Sequence, residues 1–444
     1  MTRPKPSEAL PRRQLIYLPL AEIKADPRNP RAHTHEQVKA IARSIRAFGF
    51  NAPILIDKFQ QVRAGHGRLK AAALLGLSEV PVICLENLSE AQARAYMLAD
   101  NQLTDRSSWN DELLAVHLRE LSELAIEFEI EDTGFEAPEI DIRIQSLDPG
   151  EGAKDDADVF DMEIGPAVSR AGDLWHLNGH RLFCGNALDR DCYAAILGGD
   201  KAAVVFTDPP YNVKINGHAG GKGSVQHREF AMASGEMSEA EFTAFLSKTL
   251  ENLATWTAKG ALIYVCMDWR HMDELRAAGR ANGLDLINLC VWAKTNGGMG
   301  SLYRSRHELV FVFRSGAERH LNNVQLGRFG RNRTNVWNYP GANSFTKAGG
   351  KRASGLHPTV KPIALVADAL LDSTKRDDVV LDPYLGSGTT VLAAERTGRR
   401  ASAIEIDPLY VDTAIRRWER MTGERARLSD GRAFSEIVAE RGGL

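Results

Sequence analysis

Ala203-Val204-Val205-Phe206-Thr207-Asp208-Pro209-Pro210-Tyr211 is an apolar, β-branched run of strand length that stops at an acid and two prolines. Strands covered on both faces read as continuous apolar runs, and Ala202 to Thr207 fits that pattern. So do Gly260 to Cys266, Leu309 to Phe313, Val379 to Leu381 and Ser402 to Ile406. Strands and helices alternate over residues 169 to 444, which predicts an α/β domain built on a parallel sheet with helices on both faces. Ligands of open α/β sheets sit beyond the carboxyl ends of the strands, so Asp208 to Tyr211 falls where a site is expected.

The composition of that tetrapeptide points to a chemistry. An exocyclic amino group on a nucleobase is a poor nucleophile because its lone pair is delocalised into the ring, and it improves when acceptors draw on both hydrogens. The Asp208 carboxylate and the Pro209 carbonyl are two such acceptors. Pro209 and Pro210 restrict φ and fix the loop before a substrate arrives, and Tyr211 offers a flat face on which a base can stack. Asp and Pro are also ordinary turn residues, so a second signal is needed.

That signal is Val379-Val380-Leu381-Asp382-Pro383-Tyr384-Leu385-Gly386-Ser387-Gly388-Thr389-Thr390, a strand, a glycine turn and a helix start. Glycines at 386 and 388 let backbone approach a ligand closely. Glu405 ends the next strand, where an acid accepts hydrogen bonds from ribose hydroxyls. The sequence has no Gly-x-x-x-x-Gly-Lys-Ser/Thr phosphate loop, which disfavours nucleoside triphosphate hydrolysis. A cofactor with ribose and no phosphate fits better.

A chain of 444 residues is long enough for two or more domains. The net charge of -3 confines any nucleic-acid contact to a local basic surface. Five cysteines without a Cys-x-x-Cys pair indicate neither a disulfide framework nor a zinc site, so no metal is expected. With no apolar run of signal or membrane-spanning length, a cytoplasmic protein is expected. Residues 1–14, with three prolines and four basic side chains, read as a flexible lead. Short β-like runs at Ile16 to Leu18, Pro53 to Ile56 and Val80 to Leu85 alternate with helical stretches at Glu36 to Phe48 and Arg68 to Leu75. They predict a small α+β domain over residues 15–105. A helical connector follows at 106–147, with Leu113, Leu114, Val116, Leu118, Leu121 and Leu124 available for packing. Residues 148–168 carry seven acids against Lys154 alone and read as the linker between domains.

The part from 169 to 444 resembles the amino-group DNA methyltransferases of the β, or permuted, class, in which Asp-Pro-Pro-Tyr precedes the Gly-x-Gly motif. Further matches are Trp292-Ala293-Lys294, Arg306-His307-Glu308, His357-Pro358-Thr359-Val360-Lys361-Pro362 and Glu405-Ile406-Asp407-Pro408-Leu409-Tyr410. The resemblance implies a Rossmann-like fold, S-adenosylmethionine as methyl donor, and a base flipped out of double-stranded DNA. It implies Asp208, Pro209, Pro210 and Tyr211 as the catalytic set, and Asp382, Tyr384, Gly386, Ser387, Gly388, Thr389 and Glu405 as cofactor-binding residues, with His357 and Lys361 beside them. Asn186 stands where many relatives have Asp against the cofactor adenine, and Tyr384 replaces a usual Phe. Taken alone, His357 and Lys361 are an i, i+4 pair at a helix entry, and Asp407 before Pro408 reads as a helix N-cap. Asp at the head of the tetrapeptide favours adenine N6. Cytosine N4, RNA or a protein amide remain alternatives, as does a regulatory DNA-binding protein with an inactive methylase half.

Sequence readout is expected from residues 213–236 and 314–356. The second stretch interleaves Arg314, Arg328, Arg331, Arg333, Lys347, Lys351 and Arg352 with Phe329, Trp337 and Tyr339. Residues 15–105 resemble the N-terminal domain of ParB-type partition proteins and their sulfiredoxin-like relatives, on Asn29-Pro30-Arg31, Gly49-Phe50 and Gly65-His66-Gly67-Arg68-Leu69-Lys70-Ala71-Ala72. That resemblance implies a helix N-terminus able to meet nucleotide phosphates, with His66 and Gly67 departing from the usual residues, or a DNA-docking surface. The fused architecture resembles prophage-type modification enzymes of bacterial or phage origin, some working in restriction-modification, and leaves a homodimer open.

Overall fold

The computed structural model describes residues 13–106, 108–124, 127–145, 147, 156–158, 166–212, 235–294, 303–325, 333–341 and 360–441. The chain divides into two units, Met1–Asp148 and Pro149–Leu444.

In the front unit, β1 (Leu15–Pro19), β2 (Ile54–Ile56), β3 (Val62–Ala64) and β4 (Glu79–Cys84) form a sheet in the order β1-β4-β2-β3. Only β2 and β4 run parallel. Ile54, Ile56, Val62, Val80 and Val82 fill its core, with Ala72 from α2 (His66–Leu75). Helix α1 (His35–Phe48), capped by Thr34 accepting from the Gln37 amide, packs on α2 through Val38, Ala42 and Ala71. Helix α3 (Glu90–Asp105) closes the unit's first half under a Ser89 and Gln92 capping box, and Arg31 is bonded to Asn101 on it. Helices α4 (Asp111–Glu123) and α5 (Ala137–Gln145) then pack through Leu114, Leu118, Ile130 and Ile140. Of the six residues expected on the packing face of α4, Leu113 is 53% and Leu124 60% exposed, because a helix turns 100° per residue and only the 114/118 stripe meets α5.

The Gly65 motif opens α2, with Gly65 in the left-handed region at φ +96. His66 is buried and its Nε2 accepts from the Asp26 amide. Beneath it Arg63, 3% exposed, pairs with Asp26 at 2.5 Å and Asp57 at 2.6 Å. This buried triad fixes β3 and the turn into α2.

In the second unit the order is β5 (Leu174–Leu177), β6 (His180–Cys184), α6 (Arg190–Leu197), β7 (Ala202–Thr207), α7 (Glu239–Trp256), β8 (Thr257–Met267), α8 (Met272–Ala281), β9 (Asp285–Ala293), β10 (His307–Arg314) and β11 (Val336–Asn338). Then come α9 (Ile363–Ser373), β12 (Val379–Asp382), α10 (Thr389–Thr397), β13 (Arg400–Glu405), α11 (Pro408–Thr422), β14 (Arg427–Leu428) and α12 (Phe434–Arg441). One ten-stranded sheet runs β11-β9-β10-β8-β7-β12-β13-β6-β5-β14. Its middle, β8-β7-β12-β13-β6, is parallel throughout. The expected all-parallel sheet needs correction at β10 and β5, which run antiparallel to their neighbours. A strand buried on both faces has the same apolar composition in either direction, so composition alone left the direction open.

Helices cover both faces. Phe242, Leu246 and Leu253 of α7 and Leu275 of α8 pack on one side, and Val366 of α9, Leu392 of α10 and Trp418 of α11 on the other. From β7 the chain crosses to β8 on one flank, and from β12 it crosses to β13 on the opposite flank. The carboxyl ends of β7 and β12 therefore flank a topological switch point, where such sheets open a crevice.

Replacing Arg63 by Met leaves Asp57 without its cation and Asp26 with only the half-exposed Arg28. The front unit is expected to lose about 3–5 kcal/mol, read as faster amide exchange across β3 and α2, and unchanged protection would contradict this role for the triad.

Candidate active site

Thr207, fully buried at the end of β7, donates through Oγ1 to Asp382 Oδ1 at the end of β12, 2.9 Å away. This bond joins the two strand ends that carry the two motifs. The next residue after Thr207 is Asp208. Its Oδ1 accepts from the Tyr211 hydroxyl at 2.5 Å and its Oδ2 from Lys361 Nζ at 2.5 Å. Lys361, its side chain 5% exposed, also lies 3.0 Å from Glu308 Oε2, and Lys294 pairs with the other oxygen of Glu308. The Tyr211 hydroxyl is 3.4 Å from Glu308. Both ammonium groups lie over the Trp292 ring, Lys294 at 4.6 Å and Lys361 at 5.8 Å, and Lys361 is 5.7 Å from the Tyr211 ring. Pro209 is buried and Pro210 half-buried in the same loop.

Two carboxylates and two ammonium groups thus form a neutral, largely buried quartet. Burial raises the Asp208 carboxyl, with Lys361 opposing and Glu308 adding to the rise. Burial works the same way on Glu308, but Lys361 and Lys294 outweigh it and bring Glu308 down to about 2. Burial would lower Lys361, and the charges of Asp208 and Glu308 reverse this and raise it. Asp208 and Glu308 thus hold Lys361 in its charged form, while the Asp208 carboxyl stays above its ordinary range.

The glycine turn forms the second half. Asp382 accepts from Thr207 and, at 2.6 Å, from Thr390 Oγ1, and Oδ1 also takes the Tyr384 amide at 3.1 Å. At 3% exposure both its oxygens are engaged within the fold, so its place in the site is structural, and burial pushes it up to about 6 against those bonds. Glu405 Oε2 accepts from the Gly386 amide at 2.7 Å and Oε1 from the Asp407 amide at 2.8 Å, which ties the turn to the end of β13. Burial pushes Glu405 up to about 7. Gly386 has φ +57, and a side chain there would project into open space, whereas a Cβ at Gly388, φ +98, would lie 2.8 Å from that of Ala414. The first glycine faces open space and the second is demanded by helix packing.

Ser387 is held through its carbonyl and hydroxyl by Arg417, and the Thr389 hydroxyl donates to the Lys361 carbonyl at 3.4 Å. Tyr384 bonds Thr249 on α7 through its hydroxyl at 2.7 Å and packs on Phe245. Asn186 lies just past β6, beside the end of β13, and its Oδ1 accepts from the Leu188 amide. Asp407 is the N-cap of α11. His357 lies outside the described residues, so of the proposed cofactor set the fold gathers Asp382, Tyr384, Gly386, Ser387, Gly388, Thr389, Glu405, Lys361 and Asn186 at the ends of β6, β12 and β13.

The readout stretch needs a correction in its described part. Arg333 is bonded to Asp368 at 2.7 Å and Asp372 at 3.0 Å on α9, and Trp337 is 6% exposed in the core. The Tyr339 carbonyl accepts from Trp292 Nε1 at 3.0 Å, so these residues brace the sheet edge and do not face outward. Arg314 pairs with Asp285. Arg328, Phe329, Arg331, Lys347, Lys351 and Arg352 lie outside the described residues, as does 213–234. Glu308 and Lys294 were matched as motif residues and not as site residues. The antiparallel register that sets Glu308 opposite Trp292, with the Lys294 amide donating to the Arg306 carbonyl, brings them to Lys361.

The sequence pattern of the DNA methylase family matches residues 202–416, that of the ParB N-terminal domain residues 5–102, and that of the ParB-methyltransferase HTH domain residues 112–171. The chain belongs to the N6/N4 DNA methylases, carried behind a ParB N-terminal domain. It is 23% identical over 248 residues to the type II methyltransferase M2.MboI of Moraxella bovis, covering 54% of this chain and 88% of that one. It is 42% identical over 79 residues to the ParB-like nuclease domain-containing protein YnaK of Escherichia coli K12, covering 18% of this chain and 91% of that one. The solved M1.HpyAVI-SAM complex is similar at 19% identity and TM-score 0.38, over 53% of this chain and 98% of that one. The methylase match begins at the first residue of β7 and ends inside α11, so both motifs fall within it.

In this methylase Glu405 has its folded-state pKa raised from 4.5 to about 7. The stability tied to its protonation is complete at low pH and is lost as pH rises through about 7. Glu405→Gln is expected to gain on the wild type by up to about 3 kcal/mol between about pH 5 and pH 8. Urea denaturation at the two pH values measures it, and a pH-independent difference would contradict it.

Proposed function

We propose that the chain transfers a methyl group from S-adenosylmethionine to the N6 amino group of an adenine flipped out of double-stranded DNA. The observation that carries this is Asp208, held between Tyr211 and Lys361 at the switch point, one strand away from the glycine turn. The residues present fit the cofactor: open space over Gly386 and the Glu405 carboxylate at the end of the next strand. When bound, S-adenosylmethionine supplies an electrophilic methyl carbon.

The chain's own groups do the rest. Each Asp208 oxygen already accepts one hydrogen bond and keeps a lone pair, so the carboxylate is oriented before the amino group arrives. An amino hydrogen bonded to that carboxylate, with a second drawn by the Pro209 carbonyl, localises the nitrogen lone pair for attack. A methylated amino nitrogen would give up a proton, and Asp208, raised by burial, is suited to hold it. Glu308 keeps Lys361 in place by sharing its ammonium.

Adenine rests on Asp at the head of the tetrapeptide. Within this reading residues 15–105 serve as a ParB-like domain that docks on DNA, 106–147 as a helical connector, 148–168 as a linker and 169–444 as the methyltransferase domain. Stretches 213–236 and 314–356 supply sequence readout, with Arg333, Trp337 and Tyr339 as an internal brace. A cytoplasmic bacterial or phage setting accompanies the reading.

The test is to incubate the protein with S-adenosylmethionine and unmethylated DNA, digest to nucleosides and identify the product by mass spectrometry, with Asp208→Ala as control. N6-methyladenine lost in the variant is expected. N4-methylcytosine would correct the base, and no product on several DNAs would overturn the reading. Glu308→Gln removes a charge that raises Asp208, so the acidic limb of the pH–rate profile should move to lower pH while kcat falls at least about tenfold. A limb that stays in place would exclude Glu308 from the proton balance.

A further inference from the structure

A short piece of chain upstream of β5 is fastened to both halves of the site. Asp158, 4% exposed, accepts through Oδ1 from the Ile363 amide at 3.0 Å. Ile363 is the first residue of α9, and the N-cap position before it is Pro362, which has no side-chain acceptor to offer. Asp158 therefore does the capping from elsewhere in the chain, two residues from Lys361. The neighbouring Ala157 carbonyl accepts from Arg417 Nη2 at 2.9 Å. The same guanidinium donates through Nη1 to the Ser387 carbonyl at 2.7 Å and the Ser387 hydroxyl at 3.0 Å. Arg417 is 5% exposed on α11, so its planar fork is fixed between the upstream chain and the glycine turn. A little further along, Asp412 on α11 accepts from the Val168 amide at 2.7 Å and the Ser169 amide at 2.9 Å and fastens the chain again before β5.

We infer that Ala157–Asp158, outside the sheet and helices of the methyltransferase fold, is a positioning element of the cofactor pocket, acting on the Lys361 strap through Asp158 and on the Gly386–Gly388 turn through Arg417. The inference rests on the reading that S-adenosylmethionine binds at that turn. The strap and the turn approach each other where the Thr389 hydroxyl meets the Lys361 carbonyl, and the upstream dipeptide is bonded to the flank of each. Removing the Asp158 acceptor leaves the α9 amide unpaired and frees the strap to shift relative to the turn. The electrophile and the Asp208 carboxylate are then no longer held in register.

The test is equilibrium dialysis of the full-length protein with labelled S-adenosylmethionine, alongside thermal melts. Asp158→Ala is expected to weaken binding about fivefold or more, while Asp158→Asn, which keeps an acceptor oxygen, stays within about twofold of wild type. Arg417→Lys, which keeps the charge without the fork, should weaken binding like Asp158→Ala. Unchanged affinity in Asp158→Ala would overturn the inference. So would a loss that Asp158→Asn does not restore, or one that follows the melting temperature alone. Wild-type protein that takes up no S-adenosylmethionine would bring down the cofactor reading itself, and the inference with it.

Discussion

The hydrogen bond from Thr207 to Asp382 links positions 175 apart in the chain and decides how far the catalytic loop stands from the glycine turn. Strand pairing between β7 and β12 is brief, with only Val204 opposite Val380 and Val205 opposite Leu381, so the ladder ends before the loops begin. Beyond it Asp382 takes over, gripping Thr207 on one side and Thr390 and the Tyr384 amide on the other. A buried carboxylate with every oxygen satisfied is rigid, because any displacement strands a polar group away from water. Asp208 inherits its position from this bond directly, being the residue after Thr207.

A second constraint is charge. Asp208 and Glu308 would repel each other if left alone in a buried pocket, and two ammonium groups offset that repulsion. The four charged groups come from four separate places: the loop after β7, the chain just after β9, the start of β10, and the strap before α9. The quartet is complete only when all four have come together, the two ammonium groups over the Trp292 ring. Among the described residues no cation pairs with Glu405, which is held by two backbone amides and pushed up to about 7 by burial. One half of the site is thus charge-balanced, and the other rests on backbone amides.

The parallel strands, the two motifs and the front sheet were legible because each is a local pattern: an apolar run, a glycine turn, an acid at a strand end. Ala202 to Thr207 was read at its observed limits, and Gly65 to Ala72 was read as a helix entry, which α2 is. Four things lay beyond local pattern. Strand direction at β5 and β10 depends on neighbours and not on composition. The inward turn of Arg333 and Trp337 depends on Asp368 and Asp372 arriving from α9, and a basic, aromatic stretch reads the same whether it faces solvent or acids. The partnership of Glu308 with Lys361 depends on a hairpin register. The capping of α9 by Asp158 crosses 205 positions and leaves no trace at Pro362 except the missing cap.

The permuted motif order is physically neutral for the sheet and consequential for the pocket. A parallel sheet needs β7 beside β12, and it is indifferent to which is synthesised first, since each strand carries its own crossover helix. Order does decide which piece of chain enters the second half. Here β12 is reached through the strap Val360 to Pro362 and α9, so Lys361 lies between the stretch proposed for sequence readout and the cofactor strand, with its ammonium on Asp208. Arg333 and Tyr339 meet Asp368 on the same α9. The helix that follows Lys361 is therefore also the anchor of Arg333 and Tyr339. A displacement of one must be accommodated by the other, because close-packed interiors transmit strain and do not absorb it.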